Sequence, residues 1–276
     1  MRLLQGQIFF HALVLLIIIV LTRVVIYARD LYVREISDIE KTEWTRERVL
    51  ADIRRDGSTV LLSFSRGKDS LTAWCYLLDQ GFTVVPFFMD LCPGLQFVEK
   101  SLRYYEDFFG THIYRCIHPG FYRWLRTLGY QFPHQAKDLQ YLNLPHFDFE
   151  AIQRGVARTA GLPETTWTAV GTRIVDSLNR RLIFKQHGPI NHKARRFSPI
   201  YDMQKEELVG TLQRHRVKLP IDYTIWGRSF DGLDYRYIAP LKEAMPEEYA
   251  RIKEWFPLIE LEFQRAEIAR RHGYAL

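Results

Sequence analysis

Short apolar runs alternate with amphipathic segments through the middle of this chain, and that alternation restricts the fold more than any other feature. Thr59–Phe64 (TVLLSF), Thr83–Met89 (TVVPFFM), Thr111–Cys116 and Thr165–Val170 (TTWTAV) read as strands, the first bounded by Gly57 and Gly67. Such runs suit strands buried on both faces. Leu71–Leu78, Phe97–Phe109, Phe121–Leu128 and Ala151–Ala160 carry helical spacing between and after them. Strand and helix in alternation predict an α/β fold with a doubly wound, mostly parallel sheet. Pro86 argues against a tightly paired centre for the second strand. Segment 31–55 reads as an amphipathic helix, residues 131–148 as an excursion, and Lys205–His215 as a later helix. Ligands of such sheets sit beyond the carboxyl ends of the strands. The chemistry is therefore expected just after Phe64, Met89, Cys116 and Val170.

Ser65-Arg66-Gly67-Lys68-Asp69-Ser70 follows the first strand and opens a helix. A short Ser/Gly loop at a helix N-terminus offers free backbone N–H groups and the positive end of the helix dipole, which together cradle an anion. Gly67 lets backbone approach the ligand, the serines add donors, and Arg66 and Lys68 add charge. It is not a Walker A loop, whose required glycine and Ser/Thr positions are Leu62 and Asp69 here. After the fourth strand, Gly171 is followed by Arg173, Arg180 and Arg181, whose guanidinium forks match phosphate or sulfate oxygens. From Ser177 to Tyr201 there is no acidic residue, while Arg180, Arg181, Lys185, Lys193, Arg195 and Arg196 are basic. The segment reads as a basic loop that closes over a triphosphate or meets a polyanionic acceptor such as nucleic acid through 180–196. A solvated basic face is the alternative. His187 and His192 lack cysteine or carboxylate partners and are not read as metal ligands.

These segments resemble a known family. Ser65–Ser70 is similar to the PP-loop of the ATP pyrophosphatase superfamily, and more narrowly to that of the phosphoadenosine phosphosulfate (PAPS) reductase family. Asp90-Leu91-Cys92-Pro93-Gly94-Leu95-Gln96-Phe97 resembles the Asp-Thr-Gly-x-x-Phe stretch after that family's second strand. Gly171-Thr172-Arg173-Ile174-Val175-Asp176-Ser177, with Arg180 and Arg181, resembles its Gly-x-Arg-x-x-Glu-Ser-x-x-Arg motif. Ser198-Pro199-Ile200-Tyr201-Asp202 resembles its Pro-Ile-x-x-Trp segment. The resemblance covers residues 55–235 and implies a PP-loop, adenine nucleotide alpha-hydrolase-like fold.

It further implies that Ser65, Arg66, Gly67, Lys68, Asp69, Ser70, Asp90, Gly171, Arg173, Ser177, Arg180 and Arg181 bind an adenine nucleotide, ATP or PAPS. Lys68, Asp69 and Arg173 would act in catalysis, with Mg²⁺ held by Asp69 or Asp90. The expected reaction cleaves ATP to AMP and pyrophosphate while adenylating an acceptor: a nucleobase, a nucleic acid or a sulfur carrier. Departures from the family keep two alternatives open. PAPS reductases use a cysteine in a C-terminal Glu-Cys-Gly motif, whereas the last cysteine here is Cys116. A sulfonucleotide reductase would have to use Cys92, which lies on the expected active edge, where a cationic site lowers a thiol pKa. Cys75 and Cys116 read as buried apolar residues. A non-catalytic nucleotide-binding regulator is the other alternative. With three cysteines and no Cys-x-x-Cys, an iron–sulfur cluster ligated by four cysteines of one chain is excluded.

Leu3 to Thr22 contains no Asp, Glu, Lys or Arg. As a helix this stretch spans about 30 Å, the thickness of a bilayer core. Without a small-residue cleavage site it reads as an uncleaved anchor, touching the membrane through 3–29. Arg23, Arg29 and Arg34 after the run, against Arg2 before it, place the body on the cytoplasmic side. Upstream sequence ahead of a mis-assigned start is the other reading. The expected organisation is a hydrophobic segment 1–30, a nucleotide-binding domain 31–239 and a helical extension 240–276. In that extension Glu243–Trp255 and Ile259–Arg271 cover the sheet or form a homo-oligomer contact.

Overall fold

Residues 44–274, together with Arg23, are described by a computed structural model. The apolar run 3–22 and residues 31–43 of the first expected helix lie outside the described residues. Among the described residues, no helix is long and apolar enough to cross a membrane.

The strands are β1 (Thr59–Ser63), β2 (Thr83–Asp90), β3 (Tyr114–Ile117), β4 (Thr168–Val170), β5 (Ile190–Asn191) and β6 (Arg196–Phe197). They form one six-stranded sheet in the order β3-β2-β1-β4-β6-β5, parallel except where β5 runs antiparallel to β6. The α/β architecture with a mostly parallel sheet is the one read from the sequence. β1 holds the middle because Val60, Leu61 and Leu62 are all fully buried, so neither face of that strand meets water.

Helices fill the connections: α1 (Arg46–Arg54), α2 (Lys68–Asp79), α3 (Gln96–Phe109), α4 (Pro119–Arg126), α5 (Ala136–Tyr141), α6 (Phe149–Thr159), α7 (Leu178–His187), α8 (Lys205–His215), α9 (Asp222–Trp226), α10 (Tyr235–Ala244), α11 (Pro246–Trp255) and α12 (Leu261–Arg271). Leu61 and Phe87 face α6, where they bury Ile152, Val156 and Ala157. Val60 and Leu62 point the opposite way.

Three expectations differ from the structure. β2 is interior despite Pro86. The Phe64 N–H donates to Phe87 O at 2.9 Å, so the backbone of Pro86, one residue earlier, turns to the β3 side. Pairing with β3 begins only at Phe87, opposite Tyr114, so no partner strand meets the position where proline lacks its N–H. The segment after Ser177 is the helix α7, not a basic loop. The Ser177 side chain caps it by accepting from Arg180 N at 3.2 Å, and it stops at Gly188 (φ 69°). One compact unit begins at Arg46 and continues through the last described residues, and α10 crosses the boundary placed at residue 239. Trp255 of α11 meets Phe121 of α4 edge-on with ring centroids 5.1 Å apart, and Leu258 N–H donates to Tyr130 O at 2.9 Å.

Leu61→Ala opens a cavity at the contact between β1 and α6. It is expected to lower unfolding free energy by about 2–5 kcal/mol, read from the urea midpoint.

Candidate functional site

Helix starts at the strand ends are treated differently from one another. α4 is capped by His118, whose Nδ1 accepts from Gly120 N at 2.9 Å. At α3, Glu248 accepts from Gln96 N at 2.8 Å. At α2 the residue in the cap position is Gly67, which has no side chain to cap with, and the Tyr223 hydroxyl takes only the Lys68 N–H. The first turn of α2 opens instead on a cleft of about 860 Å³.

Ser65 and Ser70 shape the loop before α2. Their hydroxyl oxygens lie 3.1 Å apart, and Ser70 Oγ accepts from Ser65 N at 3.2 Å while donating to Gly67 O at 2.9 Å. Gly171, at the end of β4, lies against this turn. A Cβ there would come within 2.8 Å of Asp69 C and Ser70 N, so the backbone approach demands glycine. That contact explains physically why a glycine stands after the fourth strand.

Ser65, Gly67, Lys68, Asp69, Ser70, Gly171 and Arg180 all line the cleft. The other expected ligands do not. Arg66 is fully buried and turned away, and its guanidinium makes two bonds to the carboxylate of Asp222, at 3.1 and 2.9 Å. It also lies over the rings of Phe88 and Phe97. Asp222 in turn accepts from Phe230 N at 2.8 Å. The charge expected at the phosphates is thus spent on the interior.

Arg173 is 6% exposed and reaches Asp69 rather than the cleft, in an ion pair at 2.8 Å that lacks hydrogen-bond alignment. Its terminal nitrogens bind Asp176 and Met203 O. Lys68 meets the other oxygen of Asp69 at 2.8 Å, and Arg180 meets Asp176 at 2.6 Å. Lys68, Asp69, Arg173, Asp176 and Arg180 therefore form one line of alternating charge from the loop to the first turn of α7. Arg173 positions Asp69 in that line. Arg181 is buried, and Ser177 serves as the cap of α7.

Asp90, at the end of β2, accepts from Cys92 N at 3.1 Å and does not line the cleft. Burial lifts its carboxyl to about 6, against the pull of the Cys92 N–H and of Arg66. As the expected Mg²⁺ carboxylates, Asp69 and Asp90 do not share a cavity. Among the described residues, no group of three or more His, Cys, Asp or Glu is placed to hold a metal ion.

Cys92 corrects another expectation. It is fully buried, and burial, reinforced by the Asp90 charge, pushes its thiol up to about 12. A thiol in that state is protonated at neutral pH and shielded, the opposite of an activated nucleophile. Cys75 is fully buried as expected, and Cys116 is half-buried.

Several cleft residues went unread in the sequence. α6 supplies Phe149 and Gln153, β2 supplies Phe87 and Met89, and the segment 223–231 supplies Tyr223, Arg228, Ser229 and Asp231. The Tyr223 hydroxyl accepts from Lys68 N at 2.8 Å, which pins this segment over the loop. The arginines of 180–196 scatter rather than form a stripe. Arg195 binds Asp56 at 2.7 Å and covers Trp167, whereas Arg196 bonds Gln153 at 3.1 Å and covers Phe149.

Compared with known proteins, the chain matches no family model and no curated sequence.

Two expectations follow. Asp222→Ala leaves the Arg66 charge buried and unpaired, and should cost about 3–5 kcal/mol in chemical denaturation. Because the folded-state pKa of Asp90 is raised, its favourable contribution is complete below about 3.8 and is lost as pH rises through about 6. Asp90→Asn should therefore be more stable than the parent at pH 7.5, with a gap that narrows on acidification to pH 5.

Proposed function

We propose that the cleft binds an adenine nucleotide, ATP, with its phosphates on the loop 65–70, and that the chain is a PP-loop enzyme of PAPS reductase type. It would cleave ATP to AMP and pyrophosphate while adenylating an acceptor. The observation that carries this reading is the start of α2, where Gly67 provides no cap and the Tyr223 hydroxyl takes only Lys68 N, flanked by the Ser65 and Ser70 hydroxyls and opening on the cleft. Unpaired N–H groups at a helix N-terminus favour phosphate through both hydrogen bonds and the dipole. The volume of about 860 Å³ falls within the roughly 300–1,000 Å³ of small-molecule sites. Phe87, Met89, Phe149 and Val170 give the cleft an apolar wall for a flat base.

In this reading Lys68 supplies the mobile positive charge for the leaving pyrophosphate, and Arg173 keeps Asp69 in place. Mg²⁺ would neutralise phosphate oxygens if it accompanied the nucleotide, and Asp69, the carboxylate of the expected pair that lines the cleft, would be the residue to hold it. The protonated, buried Cys92 weighs against thiol-based reduction of a sulfonucleotide.

The test is equilibrium binding of ATP followed by product analysis. ATP should bind, with affinity falling about tenfold or more in Ser70→Ala and Lys68→Ala, the range of a lost hydrogen bond to a charged group. Turnover should release AMP and pyrophosphate. ADP as product would refute the reaction, and binding without turnover in the presence of any acceptor would leave a regulator.

A further inference from the structure

Arg196 stands between two cavities. One is the cleft described above; the other, of about 610 Å³, lies between α7 and the β5–β6 hairpin. Val170, Thr172 and Arg196 belong to both walls, so the two chambers meet at the end of β4. Strand register aligns Arg196 with Thr168 and Leu61, on the face that α6 covers.

The guanidinium there is half-buried and, among the described residues, has no carboxylate partner. Gln153 of α6 accepts from its Nε at 3.1 Å, and the ring of Phe149 lies 5.7 Å from it. Holding Nε this way leaves the two terminal nitrogens as a fork, the geometry that matches a two-oxygen anion. A half-buried guanidinium with no carboxylate partner is open to one from a ligand.

The second chamber itself says which kind. Among the described residues its walls carry no Asp, Glu or Lys, and Arg196 is their one permanent charge. Ile183, Phe184, Ile190 and Phe197 line it with apolar surface, and Thr172 and Ser198 add a hydroxyl pair 2.7 Å apart at the junction. Gln186, His187, Asn191 and His192 make up the polar part of the wall, and one permanent positive charge beside a partly apolar hollow suits a monoanion with an apolar body better than a polyanion.

We propose that this chamber is the acceptor site and takes a small apolar monocarboxylate, anchored by Arg196 beside the α-phosphate of bound ATP. The inference rests on the nucleotide reading of the first cleft. One carboxylate oxygen forms a bond to the α-phosphorus, and the bond from that phosphorus to the bridging oxygen of the leaving group breaks. The electron pair departs with pyrophosphate. The products are an acyl adenylate and pyrophosphate, with no oxidant, reductant or net proton transfer.

The experiment measures exchange of labelled pyrophosphate into ATP by the full chain, with benzoate, phenylacetate, isovalerate and indole-3-acetate as probes, beside ATP binding by dialysis. At least one acid should support exchange, and its amide should not. Arg196→Gln should raise the KM for that acid at least tenfold, with a smaller change in the Kd for ATP, and Arg196→Lys should recover part of the loss. ATP binding with no exchange for any acid overturns the proposal. So does an Arg196→Gln variant that loses ATP and acid equally, because the guanidinium then serves the nucleotide's own phosphate. Failure of the unsubstituted protein to bind ATP refutes the nucleotide reading itself.

Discussion

The buried pair between Arg66 and Asp222 is the interaction on which the geometry of the cleft depends. Arg66 sits in the loop before α2 with φ of 62°, a left-handed conformation that costs a non-glycine residue energy. Its side chain leaves the loop, crosses into the interior and makes two hydrogen bonds to Asp222, a residue 156 positions later. Neither charge meets water, so each requires the other. The pair fixes the start of α9, and through it Tyr223 over Lys68 N and the chain that brings Arg228, Ser229 and Asp231 to the cleft. A residue that looks like a ligand in the loop is instead the tie that brings the far wall of the site into place.

Electrostatics inside the cleft follow a similar pattern. Of the arginines near the loop, Arg66 is paired with Asp222, and Arg173 and Arg180 with Asp176. Lys68 shares Asp69 with Arg173, so a ligand phosphate would compete with a carboxylate for Lys68 rather than meet a bare ammonium. Charges arranged in an alternating line hold one another's geometry, because each of the three inner ions, Asp69, Arg173 and Asp176, has an opposite neighbour on two sides. Arg196 stands apart from that line and, among the described residues, answers only to Gln153 and an aromatic face.

The strands were legible because double-sided burial writes itself as uninterrupted apolar sequence, as in β1 and β2. Their ends were less so: β3 begins at Tyr114 rather than Thr111, and β4 at Thr168 rather than Thr165. α2 begins at Lys68, before the apolar spacing at Leu71 becomes visible, because its first turn is made of loop residues. α7 was missed for a different reason. Leu178, Leu182 and Ile183 are each more than half exposed, so the helix shows no apolar stripe turned inward to announce it. In the site, the loop residues and Gly171 were readable from local sequence, since their function is backbone approach. The directions taken by Arg66, Arg173 and Arg181 were not, because a long side chain chooses its partner only in the folded molecule. Cys92 shows the same limit: its position on the active edge was readable, and its burial was not.

The sheet described above ends in β3 on one side and β5 on the other, strands of four and two residues. An exposed strand edge invites a second chain to add its own strand, and proteins limit that risk with edges too short to serve as templates. β3 is further engaged by Arg115, which bonds Glu99 and Glu106 of α3. Sheet-to-sheet growth is thereby disfavoured at both margins. Among the described residues, self-association is therefore expected through helical or loop surfaces rather than by strand addition.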